Sequence, residues 1–213
     1  ILKLKYDGVR TFSEGFFAVK NDNKMGFVDV NGNEVIPLRY NDVGSFSEGV
    51  CSVQLDNKWG LIDKNGREIG AFKYDRLSEC TSGIIVAELD DKYGLIDKQG
   101  NEITPFLYES CKNFSDGLGA VVLNKKYGFI DQSGKIIIPM IYDYVDSFYK
   151  GIALVKLNKT VFMIDKTGKK IRDLKYSSIG WSRDDIANFE LNGKYGRIDR
   201  TTGKEIIPPI YDG

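Results

Sequence analysis

Histidine is absent from this 213-residue sequence, which removes the commonest general base and the commonest metal ligand. Net charge is absent as well: Lys plus Arg is 30 and Asp plus Glu is 30. A nucleic-acid binder usually carries a basic excess or a basic stripe, whereas here Lys and Asp alternate along the chain. No apolar run approaches the ~20 residues of a spanning helix, so a soluble chain without membrane insertion is expected. Ile1 to Asp7 carry two lysines and no signal-peptide pattern. The sequence does not begin with Met, and the compartment is not legible at this end. Proline is scarce, with 5 residues against 23 glycines, a turn-rich composition.

What is abundant is repetition, which decides the architecture. Tyr recurs at 6, 40, 74, 108, 142 and 176, every 34 residues, and then at 211 after an inserted residue at Thr201-Thr202. Asp recurs at 29, 63, 97, 131, 165 and 199, and Gly follows at 32, 66, 100, 134, 168 and 203. One supersecondary unit repeated six times accounts for this. The units run approximately 6–39, 40–73, 74–107, 108–141, 142–175 and 176–210, with a partial strand at each end, in a single domain over 1–213.

Within a unit the apolar period is 2, which signals strands. In the segment from Leu118 the columns through Val121 and Leu123 are apolar in almost every unit, while the column between them is mostly polar. Two-residue pairs then separate two strands: Asp22-Asn23, Asp56-Asn57, Asp90-Asp91, Asn124-Lys125, Asn158-Lys159 and Asn192-Gly193. Such pairs tolerate the positive φ of a tight hairpin. The second strand ends in Asp-x-x-Gly, a type I turn with a left-handed glycine. A third strand follows (Glu34-Val35-Ile36, Glu102-Ile103-Thr104, Ile136-Ile137-Ile138, Glu205-Ile206-Ile207), often closed by Pro37, Pro105, Pro139 or Pro208. Proline has no N–H for a ladder, so this column marks an exit or an edge. The apolar segment after it, as at Val145 and Phe148, leaves room for a short fourth strand. The fold class is all-β.

Stretches such as KWGLIDKNGREIG (58–70) and KYGFIDQSGKIIIP (126–139) resemble the WG-repeat family, also called KWG repeats. FSEG at 12–15 and 46–49 and the Tyr-Asp pairs belong to the same resemblance, which covers essentially the whole chain. It implies β-rich tandem repeats, found largely in bacterial proteins, with no general catalytic activity. The departures are local. Only Trp59 keeps Trp before the glycine; unit five has Val161-Phe162 there, and unit six has Ser182-Arg183-Asp184-Asp185 in place of FSEG.

Two closures are open. Six units could form blades of a propeller, or an open superhelical array. Thirty-four residues is short against the ~40–45 of a WD40 blade. The Tyr-Asp-Gly segment occurs at both ends, one copy more than a six-bladed ring accommodates. The open array is the expectation, with the closed six-bladed propeller as its alternative.

No catalytic constellation emerges, and no catalytic residue, metal ligand or cofactor is expected. A residue needed for chemistry is needed once, whereas the six Asp recur in every unit and read as turn caps. Cys51, Cys80 and Cys111 occupy columns that are otherwise apolar and read as buried free thiols. The Tyr column reads as packing between repeats, with a carbohydrate-stacking ladder as the alternative. Breaks in the repeat are more informative. Trp181 replaces Ser147, and Arg183, Asp184 and Asp185 replace Tyr149, Lys150 and Gly151; Tyr149, Lys150 and Phe162 are themselves departures from the pattern. Trp and Arg are enriched at binding hot spots, so these residues form the candidate contact surface. The expected function is a non-catalytic scaffold for protein–protein interaction. A carbohydrate or cell-envelope module binding polysaccharide is the alternative, and a hydrolase on a propeller the lesser one.

Overall fold

The computed structural model describes residues 5–183 and 185–212, the side chains at 181–183 excepted. All twenty-three regular elements among them are strands, and no described helix is long and apolar enough to cross a membrane. The first sheet is β1 (Gly8–Ser13), β2 (Phe16–Asn21), β3 (Lys24–Asp29) and β4 (Glu34–Tyr40). The second is β5 (Asp42–Val43), β6 (Val50–Leu55), β7 (Lys58–Asp63) and β8 (Glu68–Tyr74). The third has three strands, β9 (Arg76–Leu77), β10 (Ile84–Leu89) and β11 (Lys92–Asp97). The fourth is β12 (Ser110–Cys111), β13 (Leu118–Leu123), β14 (Lys126–Asp131) and β15 (Ile136–Tyr142). The fifth is β16 (Tyr144–Val145), β17 (Ile152–Leu157), β18 (Thr160–Asp165) and β19 (Lys170–Leu174). The sixth is β20 (Ser178–Arg183), β21 (Ile186–Leu191), β22 (Lys194–Asp199) and β23 (Glu205–Tyr211). Every sheet is an antiparallel meander of consecutive strands, and none closes on itself as a barrel, which fits an open tandem array. The chain divides into two compact units, Ile1–Leu107 and Tyr108–Gly213, each holding three sheets.

Local chemistry sets the meander. In all six two-residue hairpins both central residues have positive φ, from Asp22 (48°) and Asn23 (62°) to Asn192 (53°) and Gly193 (78°), the geometry of a type I′ turn. The Glu-Gly of FSEG is a second such turn: Glu14 (47°) and Gly15 (100°) join β1 to β2, and Glu48 with Gly49 plays the same part. The Asp of three Tyr-Asp pairs steadies the hairpin of its own sheet. Asp7, Asp75 and Asp143 accept the N–H of Asp22, Asp90 and Asn158.

Within each unit the sheets stack through alternating side chains. One face of a sheet packs forward on its successor, the other backward. Ala18, Met25, Phe27, Ile36 and Tyr40 of the first sheet meet Val43, Phe46, Cys51, Val53 and Ile62 of the second. The same columns recur where Ala120, Phe129, Ile138 and Tyr142 meet Val145, Phe148, Ala153, Val155 and Ile164.

The expected proline edge is present, with the prolines inside the outer strand. At β4 the pairing jumps from Met25↔Tyr40 to Phe27↔Ile36, so two extra residues bulge out around Pro37. The glycine beneath makes room, since a Cβ on Gly26 would lie 2.4 Å from the Ile36 carbonyl oxygen. The fourth and sixth sheets repeat this at Gly128 and Gly196. Two sheets depart. The strand expected at Glu102-Ile103-Thr104 is reduced to a single bridge, Ile96↔Glu102. The buried Thr104 hydroxyl accepts the Leu95 N–H, and Ile103 and Thr104 both donate to the Leu95 carbonyl, so the ladder's partners are taken locally. In the fifth sheet Phe162 replaces the glycine, and β19 pairs without the bulge.

Candidate functional site

The recurring Asp residues cap their turns. Asp29, for example, accepts the N–H groups of Asn31 and Asn33 through one oxygen, and Asp63, Asp97, Asp131 and Asp165 repeat the arrangement. These bonds favour the charged form; Asp199 is drawn down to about 2 by the Thr201 hydroxyl and the Thr202 N–H. The Tyr rings at 6, 40, 74, 108, 142 and 176 are buried and offer no exposed ladder. Tyr211 differs, being 58% exposed. The thiols of Cys51 and Cys80 are buried and that of Cys111 partly so. Burial pushes them up to about 12, 11 and 12, away from the thiolate a nucleophile needs.

The Ser and Glu of FSEG have no role legible in the sequence beyond the family pattern. In the structure both staple a sheet to its successor. Ser13 accepts the Phe46 N–H, while the Ser47 and Ser115 hydroxyls donate to the carbonyls of Cys80 and Phe148. The acid accepts the N–H of the next sheet's turn glycine: Glu14 from Gly49 (3.1 Å), Glu48 from Gly83 (2.8 Å) and Asp116 from Gly151 (2.7 Å).

The candidate residues fall where this staple changes sign. Lys150 stands in the acid column and Asp185 in the glycine column. Their side chains form an exposed ion pair at 2.7 Å, linking the fifth sheet to the sixth with donor and acceptor exchanged. The Asp185 carboxylate, accepting from the Lys150 ammonium, raises the Lys150 pKa. Tyr149 stands in the serine column, with Lys150 5.1 Å and Arg200 5.0 Å from its ring centre. Arg200 carries no signal in the sequence, because its column, Val30, Lys64, Lys98, Gln132 and Lys166 before it, is polar or basic in every unit after the first. Yet it is only 6% exposed. It pairs with Asp146 at 3.2 Å, donates to the Ser147 carbonyl, and its backbone N–H meets the Asp185 carbonyl at 2.9 Å. Its buried Nε has no hydrogen-bond partner among the described residues.

The structure thus brings Tyr149, Lys150 and Asp185 together and adds Arg200 and Asp146. Phe162 lies elsewhere, against Tyr142 (6.1 Å) and Lys170 (5.4 Å). Trp181 and Arg183 belong to β20, with Arg183 opposite Ile186; their side chains, and Asp184 altogether, lie outside the described residues.

A second feature is the forward face of the sixth sheet. In the fifth sheet Leu154, Val161, Met163 and Tyr176 are covered by Ile179, Ala187, Phe189 and Ile198. The corresponding Asn188, Tyr195, Arg197 and Tyr211 instead line an open hollow of about 560 Å³.

A family model described as WG containing repeat matches residues 1–24, 25–59, 59–93, 93–127, 127–160, 162–195 and 196–213. Each full match joins the end of one sheet to the first two strands of the next, which is why six sheets yield seven matches. No curated protein matches the chain. Among solved structures, a eukaryotic initiation factor is similar at a TM-score of 0.55 and 13% identity, over 94% of this chain and 65% of that one. Hsv2p of Kluyveromyces lactis is similar at 0.50 and 11%, over 88% and 71%. The extracellular domain of the putative one component system BT4673 from B. thetaiotaomicron is similar at 0.45 and 13%; the chain covers 36% of its length.

Proposed function

Since the chain belongs to the WG-repeat family, we propose that it is a non-catalytic repeat scaffold that binds another protein through the region of its fifth and sixth sheets. One observation carries this reading. Three departures from the repeat meet at that junction, where the half-buried Tyr149 and the exposed Lys150 and Asp185 lie over a largely buried Arg200–Asp146 pair. A rigid, hydrogen-bonded base under exposed charges and an aromatic ring is the form a protein contact takes. The test is capture from a lysate of the source cells on the immobilised chain and on Trp181→Ala and Lys150→Ala variants, with bound protein identified by mass spectrometry. A protein retained by the parent and lost by the variants supports the reading. Equal retention by all three moves the contact elsewhere, and no retained protein ends the reading.

Carbohydrate binding is a second reading, favoured by the exposed Tyr195 and Tyr211 with Asn188 and Arg197 around one hollow. Aromatic faces and hydrogen-bonding groups at the mouth of a concave site suit a sugar. The same capture experiment with the envelope fraction decides it. Polysaccharide retained by the parent and lost by Tyr211→Ala supports this reading, and its absence removes it.

A further inference from the structure

The fifth sheet ends in an edge unlike the others. In the first, fourth and sixth sheets the outer strand carries Pro37, Pro139 or Pro208 within a bulge. Proline gives no N–H and a bulge turns the strand away, two devices that stop a further strand from adding. In the second sheet β8 contains Gly70 at φ 73°, and the third sheet has no described outer strand beyond its single bridge. In β19 the proline and the bulge around it are gone, and one register shift remains, between Met163 and Ile164, as at the start of the outer strands in the first, fourth and sixth sheets. Asp173 stands in the proline column, Phe162 in the glycine column, and the two are cross-strand partners. Val161, Phe162 and Met163 pair in unbroken register with Leu174, Asp173 and Arg172.

This strand is also exposed and charged. Lys170, Ile171, Arg172 and Asp173 are all exposed, Ile171 by 50%. As the last strand of its sheet, β19 turns one row of backbone N–H and C=O groups outward, and no described strand pairs with them. The chain as a whole is neutral, but Lys169, Lys170, Arg172 and Lys175 stand here against two acids, Asp173, which pairs with Lys170 at 2.9 Å, and Glu205, which pairs with Lys175 at 2.9 Å. A hollow of about 580 Å³ flanks the strand, with Arg172, Lys175, Lys204, Tyr176 and Glu205 on its walls.

We infer that β19 is a strand-addition site that takes an extended acidic segment of a partner protein as a fifth strand of this sheet. The inference rests on the scaffold reading and adds a second contact to the one at Tyr149, Lys150 and Asp185. Main-chain hydrogen bonds along the edge supply affinity, and the surrounding cations select acidic side chains.

The probe is a fluorescein-labelled peptide of alternating Glu and Val, compared by anisotropy with its Lys and Val counterpart. Amide hydrogen exchange of residues 170–174 is followed in parallel. The acidic peptide is expected to bind more tightly and to slow exchange at outward amides of β19. The double variant Phe162→Gly, Asp173→Pro rebuilds the edge of the neighbouring sheets and should weaken binding at least about tenfold by deleting ladder bonds. A backbone N-methylated acidic peptide should lose binding to the parent, which tests the edge even where the variant fails to fold. Binding unchanged by both alterations, protection absent from 170–174, or no binding of the acidic peptide overturns the site. Protein capture that persists in the double variant then leaves the scaffold reading standing, whereas loss of all capture by the parent itself ends both.

Discussion

The fourth and fifth sheets have the same strand lengths up to one position, and there they part. In the fourth, Gly128 lies under a bulge that carries Pro139, and Tyr127 pairs with Tyr142. In the fifth, Phe162 fills that space, Asp173 replaces the proline, and β19 pairs straight until Leu174 meets Val161. The register at the start of the outer strand is alike in both, with a shift between Phe129 and Ile130 and between Met163 and Ile164. Glycine and proline thus act as a pair across two strands: one vacates space, and the other occupies it without needing an N–H. Replacing both removes that bulge and leaves only the shift at the start of the strand. Replacing one should not.

That contrast is open to direct attack. The largest effect is expected from Gly128→Phe alone, because even its Cβ would lie 2.5 Å from the Ile138 carbonyl oxygen and 2.8 Å from the Met140 nitrogen. A loss of about 3 kcal/mol or more is expected by denaturant titration. A loss under about 1 kcal/mol would show that the bulge is not what the glycine serves. Next is Arg200→Met, which takes the guanidinium away from the largely buried Asp146 at the junction of the fifth and sixth sheets. Breaking a buried pair on one side costs about 3 kcal/mol, and a near-neutral result would mean that the other partners of Asp146, the Ser147 N–H among them, compensate it. By contrast, the exposed Lys150–Asp185 pair should be exchangeable. Lys150→Glu with Asp185→Gly restores the acid–glycine staple and should keep the melting midpoint within about 2 °C of the parent.

Two smaller effects concern the turns that both sheets share with the rest of the chain. Asp199 has a folded pKa of about 2, below the unfolded value of about 3.9. A depressed carboxylate adds stability above the unfolded value, and this is lost as pH falls through the folded one. Stability should therefore decline between about pH 4 and pH 2, and Asp199→Asn should flatten that decline in acid titrations followed by circular dichroism. Last, Lys159 holds φ at 69° in the fifth hairpin, where the sixth has Gly193. Lys159→Gly should gain about 1 kcal/mol by thermal melting, since glycine bears a left-handed conformation without a Cβ clash.

Much of this is legible in the residues themselves. Asn158-Lys159 and its counterparts read as tight turns because positive φ favours few residues, and Asp-x-x-Gly reads as a capped turn for the same local reason. The buried faces follow from period 2. What escapes is whatever depends on a neighbour one repeat away. Glu14 and Asp116 look like surface acids, although their partners are backbone N–H groups of the following sheet. Lys150 and Asp185 look like two independent departures, although they compensate one another across a junction. Arg200 is hidden because an arginine in a polar or basic column carries no signal, while its burial makes it the centre of that junction. Thr104 reads as a strand residue because nothing in its type shows that its hydroxyl will take the Leu95 N–H.

The offset between the family motif and the sheets bears on how such a chain lengthens. A match such as 25–59 carries the outgoing half of one sheet and the incoming half of the next. Any duplicated copy of that span brings most of its own interface, the Tyr that packs forward and the apolar columns that receive it, while its Ser and acid reach on to the sheet after. An ancestral gene could therefore gain or lose one motif at a time without inventing a new contact. Only the segments at the outer boundaries, and altered copies such as that of Phe162 and Asp173, are left for selection to specialise.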